Sequence, residues 1–417
     1  MSEVRSGGPA RGKGAPNGSG RWRMVPWVLL GCLLASGMVG CPRRGAVGPG
    51  PKAQIVAKTV TIGAYMCNTG DASTYGQSCT KGMQLRVKEI NDQGGVLGKP
   101  LRLVVLDDQT KQEEVANAVK KLIEQEKVCV VIGEVLSTNS LTAAPICQRA
   151  GVPMVTPCST NPRVTQEGDY IFRVCFTDDF QGYAGAVVAY QKLGANRAAI
   201  LLDQSSDYSK GLAEAFSEWF QKFDGVIVTE ESYVQKDTDF RPQLTNIKQL
   251  GADVIYVPGY YKEVGLIVKQ ARQLGITQPL IGGDGWDSPK VVEVGGAAAL
   301  DCYYTNHYSP DDERAAEFVA GYKAEYGKVP DALAALGYDG VGLVVDAIER
   351  AGKTDPKAIR DALAQTKDFK GATGDITMDA QRNPTKRAAV LAIRQTERGP
   401  APKLYAEVFP PSMEKKQ

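Results

Sequence analysis

From Thr59 onward, short apolar runs alternate with segments whose apolar residues recur every three to four positions. No other feature limits the fold as much. Val60–Met66 (VTIGAYM), Leu101–Asp107 (LRLVVLD) and 128–132 (VCVVI) read as strands, with helices expected over 76–91 and 112–125. A second run starts near Arg197, with strands expected at 198–203, Val226–Tyr233, 254–258 and 279–283. Helices over 211–223, 240–250 and 262–274 separate them. Strand–helix–strand order makes neighbouring strands parallel, so two successive α/β units are expected. Helices return at 313–326, 333–351 and 356–365, and 372–395 reads as strands around a turn at 381–384. The length of 417 residues fits two domains at roughly 100 to 200 residues each.

The first forty residues read as an address. Residues 1–23 carry Arg5, Arg11, Lys13, Arg21 and Arg23 against the single acid Glu3, and an uncharged apolar stretch follows from Met24 to Gly40. This order is that of a signal peptide. Small residues ahead of Cys41 (Met38-Val39-Gly40-Cys41) resemble the bacterial lipoprotein signal, in which the cysteine is lipidated and becomes the mature N-terminus. Cys32 fits the same pattern but leaves a short apolar core, and an uncleaved anchor is the plainer alternative. Residues 41–58, rich in Pro and Gly, read as a flexible tether.

Composition removes several functional classes. Export would take five of 49 basic residues and one of 47 acidic ones, leaving 44 against 46, so no charge excess points to nucleic acid. His307 is the one histidine, so a histidine relay or a multi-histidine metal site would depend on it alone. A lone histidine is usually an ordinary polar residue. No phosphate-cradling glycine fingerprint follows a strand, and no cofactor is expected. Seven cysteines lie beyond Cys41, and Cys67 with Cys79 is the first disulfide to expect because it would close a short loop.

Motifs spread along the chain carry a more specific message. In order they are I-G-A at 62–64, T-G-D at 69–71, Y-G-Q at 75–77, E-I-N-D-Q-G-G-V-L-G-K-P-L at 89–101 and D-D-Q-T at 107–110. V-I-G-E-V-L-S-T at 131–138, G-V-P-M-V-T-P-C-S-T-N-P at 151–162, D-Y-S-K-G at 207–211 and G-Y-Y-K-E at 259–263 follow. Together they resemble the type I periplasmic solute-binding proteins of ABC transporters, the leucine/isoleucine/valine-binding family, from about residue 59 to 377. The resemblance implies two doubly wound α/β lobes joined by a three-stranded hinge. Lobe one would be 59–177 plus 308–372, and lobe two 178–307 plus 373–405. The ligand would lie between them.

Ser137 follows a buried strand and precedes a helical stretch, where an N-cap would sit. A helix N-terminus suits a ligand carboxylate, although a serine there can simply cap. The resemblance assigns Ser137, the backbone of Cys158 and the hydroxyl of Thr160 to the ligand's polar end. It assigns Asp284 and Asp178 to its ammonium, and Tyr75, Tyr208 and Tyr260 to aromatic walls. Tyr65 and Trp286 also point toward the cleft by position. Asp284 stands where leucine-binding members usually carry Glu, and an Asp in a Gly-rich loop is otherwise a common turn residue.

The implied function is a lipid-anchored, non-enzymatic receptor that passes an aliphatic amino acid to an ABC permease. A sensory module for a signalling partner, a receptor for amides, urea or aromatic acids, and a hydrolase using Ser or Cys are the alternatives.

Overall fold

The computed structural model describes residues 59–411. The signal over 1–40, lipidation of Cys41 and the tether over 41–58 lie outside the described residues. The first lobe starts with strand β1 (Val60–Met66), whose mostly apolar residues are buried on both faces, as a central parallel strand requires. Helix α1 (Ser73–Asp92), β2 (Leu101–Asp107), α2 (Gln112–Glu124), β3 (Val131–Ile132), α3 (Ser137–Ala150), β4 (Met154–Thr156), α4 (Arg163–Gln166) and β5 (Ile171–Arg173) follow. The five strands pair in parallel in the order β2-β1-β3-β4-β5. That order reverses direction between β1 and β3, the switch point at which doubly wound sheets open a crevice.

The second lobe opens with α5 (Asp178–Ala186), which runs on as a π-helical turn over Val187–Lys192. It continues through β6 (Arg197–Asp203), α6 (Asp207–Lys222), β7 (Val226–Tyr233), α7 (Arg241–Leu250), β8 (Val254–Val257), α8 (Tyr261–Gln273), β9 (Leu280–Gly282), α9 (Pro289–Gly295) and β10 (Tyr303–Asn306). Then α10 (Ala316–Tyr326), α11 (Ala332–Ala351), α12 (Pro356–Ala364) and the small hairpin β11 (Phe369–Gly371) with β12 (Gly374–Ile376) return to the first lobe, where α11 packs on α1. Finally β13 (Ala388–Thr396) and β14 (Gly399–Val408) add antiparallel strands to the second sheet, ordered β14-β13-β10-β9-β8-β6-β7. The chain therefore crosses between lobes after β5, after β10 and before β13.

Local chemistry explains these elements. Asp331 caps α11 by accepting from the Ala334 N–H at 2.9 Å, and Gly352 ends the helix in the left-handed region at φ 64°. At the α1–α11 crossing a Cβ on Gly82 would come within 1.8 Å of the Ala334 carbonyl oxygen, so only glycine lets the backbones approach this closely.

Some expectations are corrected. Cys67 and Cys79 form no disulfide; all seven cysteines of the described region are free and buried. The Cys67 thiol donates to the Ala72 carbonyl at 3.5 Å, whereas the Cys79 thiol faces that of Cys158. The pattern also gave no sign of β4, β5 or β10, each only three or four residues long, or of β14, where Pro400 and Pro402 argue against a strand. β14 tolerates them because it is an edge strand.

Candidate functional site

The switch points of the two sheets face one another, and the loops at their carboxyl ends enclose one cavity of about 280 Å³. It is lined by Tyr75, Ser137, Cys158 and Thr160 from the first lobe and by Tyr208, Tyr260 and Asp284 from the second. Val135, Gly285 and Leu333 complete it.

On the first-lobe side, Leu136 is the N-cap of α3, and Ser137 is the first helical residue. The cap expected at Ser137 is thus shifted by one. The Ser137 Oγ accepts from the Asn161 N–H at 3.3 Å rather than from its own helix, and the first turn of α3 presents its N–H end at the cavity. The turn leading into α3 is held by Glu134, fully buried, whose carboxylate accepts from the N–H groups of Cys67 (3.2 Å) and Leu136 (3.0 Å). Burial, reinforced by the charge of Asp108, pushes the Glu134 carboxyl well above the usual carboxylate range. The Cys158–Thr160 loop is anchored by Arg173, which is fully buried and donates to the carbonyls of Ser159 (2.7 Å) and Asn161 (2.8 Å). Burial likewise drives the Cys158 thiol well above its ordinary value, so it acts here as a small apolar wall.

On the second-lobe side, Tyr208 and Tyr260 stack with centroids 5.2 Å apart, and the Gly285 N–H donates to the Tyr208 hydroxyl at 3.2 Å. Gly283 makes room for this wall: a Cβ there would stand 2.4 Å from the Tyr208 hydroxyl oxygen. Asp284 accepts from Gln181 Nε2 at Oδ1 and pairs with His307 Nε2 at Oδ2, each at 2.9 Å. Asp178 is fully buried behind this group and does not line the cavity. Burial raises its carboxyl well above the ordinary range, opposed by the Thr160 hydroxyl and reinforced by Asp284.

Direct bonds tie the lobes together over the cavity. Tyr75 donates to the Gly285 carbonyl and accepts from the Tyr261 N–H at 3.1 Å. Lys262 pairs with Asp71 at 2.7 Å, and Thr138 donates to Asp207 at 3.1 Å. Replacing Tyr75 by Phe deletes both hydroxyl contacts, worth about 1 kcal/mol together in net terms. Ligand affinity in calorimetric titration is expected to weaken about fivefold; an unchanged affinity would show that this tie does not stabilise the closed form.

Seven of the eight expected binding residues thus converge, and Asp178 stands behind them. Tyr65 and Trp286 do not take part. Tyr65 is buried in the first lobe with its hydroxyl on the Met154 sulfur, and the Trp286 indole donates to the Val257 carbonyl at 2.9 Å. Sequence reasoning missed Gln181 and His307, which lie 103 and 23 residues from Asp284. No local motif links them; only the fold brings them together.

Two α/β lobes, three crossings and a cleft between opposed switch points define a solute-binding protein of the type I, two-lobed class. The family model described as periplasmic binding protein matches residues 59–397, and the chain belongs to that family. It is 31% identical over 325 residues to the Leu/Ile/Val-binding protein BraC3 of Rhizobium johnstonii, covering 76% of this chain and 87% of the relative. Among solved structures, the leucine-binding protein LivK of Thermotoga maritima matches at 40% identity and TM-score 0.80, covering 85% of this chain and 99% of that one. LivJ of Streptococcus pneumoniae, a branched-chain amino acid transporter substrate-binding protein in complex with isoleucine, matches at 37% and 0.78, with the same coverage.

Proposed function

We propose that the chain is the extracytoplasmic receptor of an ABC transporter, which captures an aliphatic α-amino acid between its lobes and delivers it to the permease. The observation that carries this reading is a polar division of one small cavity. The α3 N-terminus with Ser137 and Thr160 lies on one side, and the Asp284 carboxylate with tyrosine faces lies on the other. The α-carboxylate goes to the helix end and hydroxyls, and the ammonium to Asp284 and the π-faces of Tyr208 and Tyr260. The side chain packs against Tyr75, Val135 and Leu333. Asp178 stands behind Thr160, its N–H donating to the Thr160 carbonyl at 3.0 Å. The branched-chain specificity of BraC3 and LivJ supports the aliphatic assignment.

Lobe one, 59–177 plus 308 to the end of the β11–β12 hairpin, and lobe two, 178–307 plus β13 and β14, close by a hinge motion, because a ligand that touches both stabilises only the closed form. The ligand leaves unchanged. The receptor works in the periplasm, tethered by a lipid on Cys41. Mass spectrometry of the mature N-terminus tests the tether, and an unmodified residue there would remove it.

Thermal unfolding of the full chain, stripped of ligand by unfolding and refolding, tests the receptor function against the twenty amino acids and a set of amides and aromatic acids. Ligand at about 100 times Kd adds roughly 2.7 kcal/mol, a shift of several degrees. The expected result is a shift with Leu, Ile, Val or a near relative. A shift with amides or aromatic acids alone would make Asp284 a turn residue.

A further inference from the structure

Asp284 is held in an unusual way for a carboxylate that faces a ligand. Its two oxygens are taken, at 2.9 Å each, by the side-chain amide of Gln181 on α5 and by Nε2 of His307 just past β10. Among the described residues the carboxylate makes no salt bridge with Lys or Arg and pairs only with the imidazole. His307 is 4% exposed and Gln181 fully buried, so neither is a surface residue that happens to reach inward. The imidazole stacks on Phe176, centroids 3.9 Å apart and planes inclined by 29°, at the first crossing between lobes. Its Nδ1 is buried with no hydrogen-bond partner among the described residues. A neutral ring bearing its proton on Nε2 donates to Asp284 and leaves only an acceptor unmatched. A protonated ring would instead leave a buried N–H donor unmatched, which is costlier.

We propose that Gln181 and His307 are positioning residues for the ligand's cation. They are two neutral donors that fix the Asp284 carboxylate at the cavity without cancelling its charge, so that the bound ammonium supplies the cancellation. Proton uptake by the imidazole therefore competes with capture. This rests on the reading of Asp284 as the ammonium acceptor and deepens it: it selects ligands with a cation close to the carboxylate end and makes their affinity fall with acidity.

The electrostatics around His307 agree. Burial lowers its pKa from 6.5, and Lys386, buried at the approach to β13, acts in the same direction, while the bond to Asp284 and its charge oppose them. Asp178 on α5 and Arg173 at the end of β5 lie one step further out, Asp284 raising and Arg173 lowering the Asp178 carboxyl. With its pKa lowered below the ordinary imidazole range the ring is neutral at neutral pH and takes up a proton only in more acidic solution. A bound ammonium and an imidazolium both draw on the charge of Asp284, so each weakens the other by the same factor. Affinity is then complete at neutral pH and is lost as pH falls through the His307 pKa.

Because His307 is the only histidine in the sequence, its imidazole can be followed without assignment in the full chain purified free of a histidine tag. The NMR titration of the ring carbons, with and without saturating L-leucine, should show the His307 pKa moving down by about one unit on binding. In parallel, calorimetric Kd values for L-leucine should weaken between pH 7.5 and 5 in the wild-type chain, by at most the tenfold that a shift of about one unit allows. His307→Gln, which keeps a neutral donor, should keep Kd at pH 7.5 within about threefold and flatten the profile, whereas His307→Ala should weaken binding about tenfold at pH 7.5. An unmoved ring pKa on leucine binding, or a His307→Gln profile as steep as wild type, would overturn the inference while leaving the receptor reading intact. Wild-type chain that binds no α-amino acid would overturn both. The wild-type NMR titration needs no variant, so misfolding of either substitution does not shield the idea.

Discussion

Asp284→Ala is expected to reduce affinity for the amino acid by at least about a hundredfold while leaving the fold intact. The carboxylate is only 9% exposed, so bulk water screens it weakly. Deleting it would leave the ligand's ammonium buried with π-faces alone. Truncating one partner of a buried charge pair costs about 2–5 kcal/mol, and each 1.4 kcal/mol is tenfold in Kd. The ligand-free protein should lose about 2 kcal/mol, because the buried donors Gln181 Nε2 and His307 Nε2 are left without an acceptor, too little to unfold it. Calorimetric titration at pH 7.5 with a parallel melt of the ligand-free chain separates the two effects. Kd within threefold of wild type would show that the ammonium, if there is one, lies elsewhere.

Arg173→Met is expected to produce the largest loss of stability of any single change considered. The side chain is fully buried at the first crossing between lobes and donates to Ser159 and Asn161 carbonyls and, at 3.3 Å, to Thr165 Oγ1. Methionine fills much of the same volume but donates nothing, so two carbonyls lose a charged donor. Hydrogen bonds to charged groups contribute about 1.5–3 kcal/mol each, and roughly 3 kcal/mol net is a fair expectation after the regained desolvation of the guanidinium. The midpoint of thermal unfolding should fall by about 4 °C. Affinity should fall too, since the released loop carries Cys158 and Thr160. A midpoint within 1 °C of wild type would show that the loop is held without the guanidinium.

The alternation of apolar runs with amphipathic segments was enough to place most of the long strands and helices, because each obeys a period of its own. The motifs around Ser137, Cys158–Thr160, Tyr208, Tyr260 and Asp284 were legible because each sits on a strand-to-helix turn whose local sequence is distinctive. What failed was either too short to show a period, as with β4 and β5, or depended on distance in space. The Cys67–Cys79 pairing seemed favoured by a short loop, yet the helix turns Cys79 toward Cys158. Trp286 lies two residues from Asp284 but turns its indole back to the Val257 carbonyl.

The sequence by itself determined two α/β units, the residue types of a small cleft and the family to which the chain belongs, because these depend on patterns carried by neighbouring residues. Only the tertiary structure decided how the Asp284 charge is held. Gln181 and His307 reach it from α5 and from the end of β10, elements that no sequence period connects, and they meet because the second crossing between lobes passes beside the first.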